Sequence, residues 1–478
     1  MAGVLAELLP EAALALAYLV ASVLFIQGLR DMTHPRTARR GNRISSLGMF
    51  LAVLVTVLWF EILSPVVLFG GLIVGSAVGV YLAVTVETTE MPQLVGLFNG
   101  FGGGASAVVA GASLIDTVQL QGAGALAPDL TVSASIAAII GSVTFTGSMI
   151  AAGKLHGVAF RDPVRYAGEH AVKAAVLLLA VAAGGFLTVG SAPLAGWIPT
   201  YWVIVGLASL LGVLLVIPIG GADMPVVIAL LNSYSGLAAA TTGFVLNNTV
   251  LIVAGTLVGA SGMILTVIMC ESMNRSLANV LFGGFGEDAG GGEEMEDIYE
   301  GQIKETSPEE VEMLLDTARR VVIVPGYGMA VAQAQHAVAE LAELLEEEGV
   351  EVEFGIHPVA GRMPGHMNVL LAEADVPYDK MRELEEVNPT FSQTDVVIVT
   401  GANDVVNPRA NEEDGSPISG MPVLNVEEAG TVIVNKRSLS PGFSGIPNPL
   451  FTRDNTSMLF GDAKQSMQEL VALYEENH

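Results

Sequence analysis

Charge is what this sequence has least of. Asp, Glu, Lys and Arg make up 15% of its 478 residues, against roughly 25% in an ordinary soluble domain. With 51% hydrophobic residues, so sparse a charge excludes a uniformly water-exposed protein and implies a sizeable membrane part. Cysteine is nearly missing. Cys270 stands alone, so no disulfide within the chain and no cysteine-based metal site can form. Lysine is scarce, six residues against fifteen arginines. The clustered cations that phosphate backbones require are lacking, which excludes nucleic acid as a partner. The N-terminus carries Glu7 and Glu11 and no basic n-region. Its first apolar run is long enough to span, so it reads as an uncleaved membrane helix and not a signal peptide.

The charge that is present is unevenly placed. Residues 1–286 hold ten Lys and Arg against twelve Asp and Glu, whereas residues 287–478 hold eleven against 37. The net charge of −28 therefore falls almost wholly on the second part. The two parts sit in different solvents: a low-charge membrane unit, then an acidic soluble unit. A solvated acidic face is the plain explanation of that acidity. Adaptation to high salt, where dense counterions screen self-repulsion, is the sharper expectation.

Runs of about 20 apolar residues mark membrane helices. Nine are read: Glu11–Leu29, Ile44–Phe60, Pro65–Val86, Pro92–Ile115, Val132–Ala152, Ala171–Val189, Tyr201–Ile217, Pro225–Phe244 and Val250–Cys270. Nine alternating spans put the two termini on opposite sides. Arg30, Arg36, Arg39, Arg40 and Arg43 follow span one, Lys154, Arg161, Arg165 and Lys173 flank the loop after span five, and Arg275 follows span nine. All ten basic residues of this part then share one side, which the positive-inside rule makes cytoplasmic. The expectation is an integral plasma-membrane protein with its N-terminus outside and its C-terminal domain in the cytoplasm.

The run Gly283-Gly284-Phe285-Gly286, followed by Gly290, Gly291 and Gly292 among acids, reads as a flexible linker over residues 283–310. It separates a membrane domain, 1–282, from a soluble domain, 311–478. There short strands alternate with helices: strand Arg320–Val324, helix Met329–Glu348, strands Glu351–Ile356, Asp395–Thr400, Val423–Val426 and Thr431–Asn435, and a closing helix Asp462–Tyr474. That alternation predicts an α/β, Rossmann-like, doubly wound parallel sheet.

Strand, Gly326-Tyr327-Gly328 and helix form the context that a dinucleotide fingerprint requires. Gly326 allows the tight turn, and Gly328 lets backbone approach a phosphate. Val331 replaces the third glycine, so the motif alone is weak, and a tight turn without a ligand is the bland reading. Cofactor choice stays open from these residues. Glu351 and Glu353 lie where an acid would bind an NAD ribose. Lys436-Arg437, adjacent cations at a strand end in an acidic segment, would suit a 2′-phosphate or a surface salt bridge.

Longer motifs carry a resemblance. They are Pro325–Gln335, Gly355–Asn368, Gly401–Pro408, Lys436-Arg437-Ser438 and Leu459–Lys464 in the soluble part. In the membrane part they are Thr89–Pro92, Gly220–Pro225, Leu231–Gly236 and Met273–Ser276. Together, and in this order, they resemble the β-type subunit of proton-translocating nicotinamide nucleotide transhydrogenases over nearly the whole chain. The resemblance implies NADP(H) on this chain and NAD(H) on an α-type partner subunit with further membrane helices, in a dimer of protomers. It implies that Gly326, Tyr327, Gly328, Met329, Ala330 and Val331 line the dinucleotide. Val359, Ala360, Gly361, Arg362, Met363 and Pro364 would wrap it, with Arg362 near phosphate. Gly401, Ala402, Asn403, Asp404 and Val405 would lie beside it, Asp404 coupling its state to the membrane. Gly420, Met421, Asp462 and Ala463 complete the lining. Lys436 and Arg437 would take the 2′-phosphate, and Ser438 to Phe443 would form a lid. Phe443 stands where the family often has Tyr.

Hydride transfer needs two nicotinamides held in contact, so no catalytic acid, base, nucleophile or metal is expected. His336, His357 and His366 read as structural. Polar groups inside a membrane are costly and mark pathways by default. Asn99, Ser142, Thr144, Asp223, Asn232 and Arg275 are the candidates for proton movement. Interhelical hydrogen bonding is the alternative for the serine and threonine. Some family members carry histidine at the position of Asn99. A channel or transporter gated by an NADP(H)-sensing domain is the alternative function, and a partner with a second dinucleotide domain would separate the two.

Overall fold

The computed structural model describes residues 11–59, 65–121, 126–158, 163–189, 194–274, 276–283, 299, 303–412, 416, 418–442 and 444–478. The chain divides into two compact units. One comprises Met1–Pro218 with Val227–Leu265, the other Ile219–Val226 with Thr266–His478.

Among the described residues nine helices are long and apolar enough to cross a membrane, and the protein is a membrane protein. They are α1 (Glu11–Met32), α2 (Pro35–Trp59), α3 (Pro65–Thr85), α4 (Met91–Gln121), α5 (Pro128–His156), α6 (Glu169–Val189), α7 (Leu194–Val216), α8 (Met224–Val245) and α9 (Thr249–Ser272). Several extend beyond the apolar runs in the sequence. A helix in lipid satisfies its own backbone and continues until a turn or cap stops it. α5 ends where Gly157 adopts φ 77°, a left-handed stop that glycine takes without strain. Small residues set the packing. A Cβ on Gly103 of α4 would lie 2.7 Å from the Gly141 carbonyl and 2.7 Å from Thr144 Cβ on α5. A Cβ on Gly255 of α9 would lie 2.6 Å from the Gly236 carbonyl on α8. These backbones touch because nothing larger than hydrogen stands between them.

The second unit holds a six-stranded sheet, β1 (Arg320–Pro325), β2 (Glu351–Ile356), β3 (Met381–Glu383), β4 (Val396–Thr400), β5 (Thr431–Lys436) and β6 (Thr456–Phe460). Every pair is parallel and the order is β3-β2-β1-β4-β5-β6. The chain runs outward from β1 in one direction and returns to β4 to run outward in the other. β1 and β4 therefore flank a topological switch point. Alternate residues of β1 enter two cores. Val321 and Ile323 pack with Val311, Leu315, Val338, Leu341, Leu370, Met467 and Leu470, the helical layer. Val322 and Val324 pack with Tyr299, Phe391, Leu424 and Phe451 on the other face. Burial on both faces is why the strands read as unbroken apolar runs.

The helical layer comprises α10 (Pro308–Asp316), α11 (Tyr327–Ala332), α12 (Gln335–Glu347), α13 (His366–Glu373) and α14 (Ala463–Asn477). Ser307 caps α10 by accepting from the Glu310 amide at 3.3 Å, and Pro308 occupies the first turn, where its missing N–H costs nothing. Asp462 caps α14 through the Lys464 and Gln465 amides at 3.1 and 3.4 Å.

Three local expectations need correction. The helix expected over Met329–Glu348 is two helices, because Gln333 adopts φ 55° between them. Val423–Val426 is not a strand. Its apolar side chains are buried, but its Leu424 amide donates to the Val405 carbonyl at 2.9 Å, outside the sheet. β3 and β6 were not anticipated. They are strands because β2 and β5 pair with them.

Candidate functional site

The C-terminal ends of the strands open onto a cavity of about 530 Å3, a size that suits a cofactor. Five turns line it. They are Gly326-Tyr327-Gly328 after β1, Val359–Met363 after β2, Gly401–Val405 after β4, Lys436–Ser438 after β5 and Gly461–Ala463 after β6.

The turns after β1 and β4 interlock at the switch point. The Gly326 amide donates to the Thr400 carbonyl at 2.9 Å and the Gly328 amide to the Gly401 carbonyl at 2.8 Å. Gly401 has φ 67°, and a Cβ there would run into Gly328 and Met329. Gly328's amide is thus spent on Gly401. Its lack of a side chain serves the contact of two turns, which the local motif alone does not reveal.

The charged residues divide between the two ends of the sheet. Glu353 takes Arg320 at 2.5 Å and Arg382 at 2.7 Å, and Glu351 takes Arg320 at 3.4 Å. Neither carboxylate lines the cavity. Lys436 and Arg437 do. The Lys436 ammonium donates to the Ser440 carbonyl and lies 5.2 Å from the Phe451 ring centre. Burial pushes its pKa down to about 8, and the Asp404 carboxylate opposes that shift. Asp404 accepts from the Ser444 amide at 3.0 Å and the Ser444 hydroxyl at 2.7 Å. The segment beyond Ser438 is therefore tied back to the turn after β4. Phe443 lies outside the described residues.

On the opposite wall the Arg362 guanidinium stands 4.4 Å over the Tyr327 ring. Burial raises the Tyr327 pKa, opposed by Arg362. His357 and His366 are buried beneath the Val359–Pro364 loop, and burial pushes each down to about 4. His357 Nε2 meets the Pro422 carbonyl at 2.6 Å and its Nδ1 accepts the Val359 amide at 3.2 Å. At neutral pH both rings are uncharged.

Most of the expected lining residues reach the cavity, but Met329 and Ala330 are fully buried in the helical layer, and Pro364 and Gly420 do not line it. Ile418 and Asn435 line it unexpectedly. Asn435 is fully buried and donates to the Leu459 carbonyl at 3.1 Å, while its Oδ1 has no hydrogen-bond partner. An Asn closing the apolar run of β5 was the signal available. Among the described residues no His, Cys, Asp and Glu group forms a metal site.

In the membrane unit Asn99 of α4 donates to the Ile228 carbonyl of α8 at 3.3 Å, one turn before Asn232. Thr144 packs against Gly103, one turn from Asn99. Ser142 shares its helix face with Thr146, which donates to Ser209 of α7 at 2.7 Å. Asn99 and Thr144 thus lie on the faces where α4, α5 and α8 pack, Asn232 stands beside Gly262 of α9, and Ser142 turns towards α7. Asp223 is buried in the short turn Gly221–Asp223 before α8. Arg275 lies outside the described residues.

A parallel sheet with a cofactor-sized cavity at its switch point, on a chain whose described residues include nine membrane-length helices, defines a membrane protein with a Rossmann-like domain. The family model described as NAD(P) transhydrogenase beta subunit matches residues 14–473. Two Rhodospirillum rubrum sequences, each described as NAD(P) transhydrogenase subunit beta, are 48% identical over 457 residues, 95% of this chain and 97% of the relative. The chain belongs to the NAD(P) transhydrogenase beta subunit family. It is a subunit of an oxidoreductase complex that moves hydride between nicotinamide nucleotides and couples this to proton translocation.

Proposed function

We propose that this chain binds NADP(H) in the cavity at the β1/β4 switch point, and that an alpha-type partner subunit brings NAD(H). The reaction is then NADH + NADP⁺ + H⁺(out) ⇌ NAD⁺ + NADPH + H⁺(in). The carrying observation is the division of charge across the sheet. Glu351 and Glu353 are spent on Arg320 and Arg382, whereas Lys436 and Arg437 line the cavity. A 2′-phosphate matches the second arrangement and is repelled by free carboxylates.

The cavity fits such a group. Arg362 and Tyr327 stack on one wall, and Asn435 Oδ1 is a buried acceptor without a partner. When bound, the nicotinamide supplies or accepts the hydride. This chain's residues hold it in place and keep water out, and the lid Ser438 to Phe443 closes over it, anchored at its end by the hold of Asp404 on Ser444. Asn99, Thr144, Asp223, Asn232 and Arg275 form the proton route, with Ser142 on its flank. The N-terminus lies outside, the C-terminal domain lies in the cytoplasm, and protomers pair. The soluble domain spans residues 311–478, and Tyr299 of the preceding segment packs against it. Tyr299 is buried against Phe451, and its hydroxyl accepts the Asn448 amide at 2.6 Å.

The test is replacement of Lys436 and Arg437 by Ala in the full chain, with NADP(H) and NAD(H) affinity measured by calorimetry. Two charge-assisted contacts of about 1.5–3 kcal/mol each are removed. NADP(H) binding is expected to weaken by roughly a hundredfold or more, and residual NAD(H) binding to hold. Equal weakening of both cofactors overturns the assignment.

A further inference from the structure

Histidine at position 366 has an odd setting. It opens α13, is fully buried, and lies directly under Gly361. Gly361 has φ 101°, a backbone state closed to most side chains. A Cβ there would also fall 2.7 Å from His366 Cβ and Cγ. The imidazole and the turn are thus in contact with nothing between them. Across that contact the Arg362 amide donates to His366 Nδ1 at 3.0 Å. His366 in turn donates its own amide to the Met363 carbonyl at 3.2 Å. The Tyr327 ring, on which the Arg362 guanidinium rests, lies 6.3 Å from the imidazole, centre to centre.

An imidazole that accepts at Nδ1 is neutral and carries its proton on Nε2. His366 Nε2 is buried without a hydrogen-bond partner. A buried N–H left unsatisfied costs stability, so a side chain chosen for packing alone would be apolar. The atom that offsets this cost is Nδ1, through the amide of Arg362. A main-chain amide held at a left-handed turn fixes where the following side chain departs.

We propose that His366 is a positioning residue for the bound nucleotide: its Nδ1 holds the Arg362 amide, and so sets the Gly361-Arg362 turn that lays the guanidinium across Tyr327 on the cavity wall. The inference rests on the reading of this cavity as the NADP(H) site. His366 touches no cofactor. It acts through Arg362, as second-layer residues commonly orient those in contact.

The experiment measures NADPH binding to the full-length chain by calorimetry in three variants. His366→Leu keeps the approximate volume and removes the acceptor. His366→Asn places an oxygen where Nδ1 stood. Arg362→Ala reports on the site itself. His366→Leu is expected to weaken NADPH binding roughly tenfold, as loss of one positioning hydrogen bond would, and His366→Asn to return it to within about twofold of the parent. Wild-type affinity in His366→Leu, with Arg362→Ala weakened, overturns the proposal and spares the site. An equal loss in His366→Asn and His366→Leu also overturns it, because shape and not the acceptor would then matter. Unchanged binding in Arg362→Ala overturns the NADP(H) reading of this wall, and the role of His366 with it.

Discussion

The two units use the same residue types for opposite ends. In the membrane unit glycine removes side chains so that helices touch, as at Gly103 with Gly141 and at Gly236 with Gly255. Those residues keep helical backbone. In the sheet unit glycine permits turns, as at Gly361 and Gly401 with φ 101° and 67°. Polar side chains differ in the same way. Ser135, Thr144 and Thr188 donate to the carbonyl one turn earlier in their own helix, at 2.7, 2.7 and 3.0 Å. In the sheet unit Asp404, Asn407 and Asn448 tie loop to loop, through Ser444, Pro447 and Asn403. Lipid offers no competing partner, so many hydroxyls there turn back on their own backbone, and others, such as Thr146 on Ser209, reach a neighbouring helix. Water would loosen a bare loop, so side chains pin it. A substitution therefore has to be judged by the solvent of its unit as well as by its type.

The largest expected effect tests the glycine contrast within one helix. Gly212 and Gly206 both lie in α7. A Cβ on Gly212 would sit 2.5 Å from the Val143 carbonyl, whereas one on Gly206 would meet nothing within 4 Å. Gly212→Leu should cost about 3 kcal/mol or more through overpacking, seen as loss of folded chain after detergent extraction. Gly206→Leu should be neutral or slightly stabilising, since leucine favours helix over glycine by roughly 1 kcal/mol. Comparable losses at both positions would mean that helix packing does not govern the placement of glycine here.

The polar contrast is sharpened by Asn232. It lies in α8, one turn beyond the carbonyl that Asn99 addresses, and half-buried. If Asn232 belongs to the proton route, Asn232→Leu should reduce gradient-driven NADPH formation in vesicles by roughly tenfold or more, within the usual span of a single allosteric coupling. NADPH affinity should change little. Undiminished gradient-driven turnover at equal protein levels would return Asn232 to helix packing.

How far these contrasts could be read in advance also differs between the units. Nine helices were legible because a span of lipid fixes their length. In the sheet unit β1, β2, β4 and β5 were legible as apolar runs. β3 was not, since Met-Arg-Glu at 381–383 is a strand through its pairing with β2. Val423–Val426 looked like a strand because burial alone makes a run apolar. At the site the cations Lys436 and Arg437 stood out against an acidic background. The interlock of Gly328 with Gly401 could not be seen, because 73 residues separate the two turns and the sheet order joins them. The spending of Glu351 and Glu353 on arginines was hidden for the same reason.

The smallest effect concerns Lys436 and acid–base balance. Burial lowers its pKa to about 8, and Asp404 works against that shift. Below pH 8 the side chain is charged and can meet a 2′-phosphate. As pH rises through 8 the free chain loses that proton, and binding a dianion must then take one up from solution. A bound phosphate raises the pKa of Lys436, so affinity for NADPH should fall above pH 8, about twofold at pH 8 itself and approaching tenfold per unit beyond. Affinity should level off as pH falls from 8 to 7, where Lys436 is charged and the 2′-phosphate, with a second pKa of about 6, keeps most of its charge. Lys436→Arg should flatten the alkaline fall, because guanidinium stays charged throughout. Calorimetric titrations between pH 7 and 9.5 would decide it. Parallel pH profiles for wild type and Lys436→Arg would assign the fall to another group, and a flat wild-type profile would take Lys436 out of phosphate recognition.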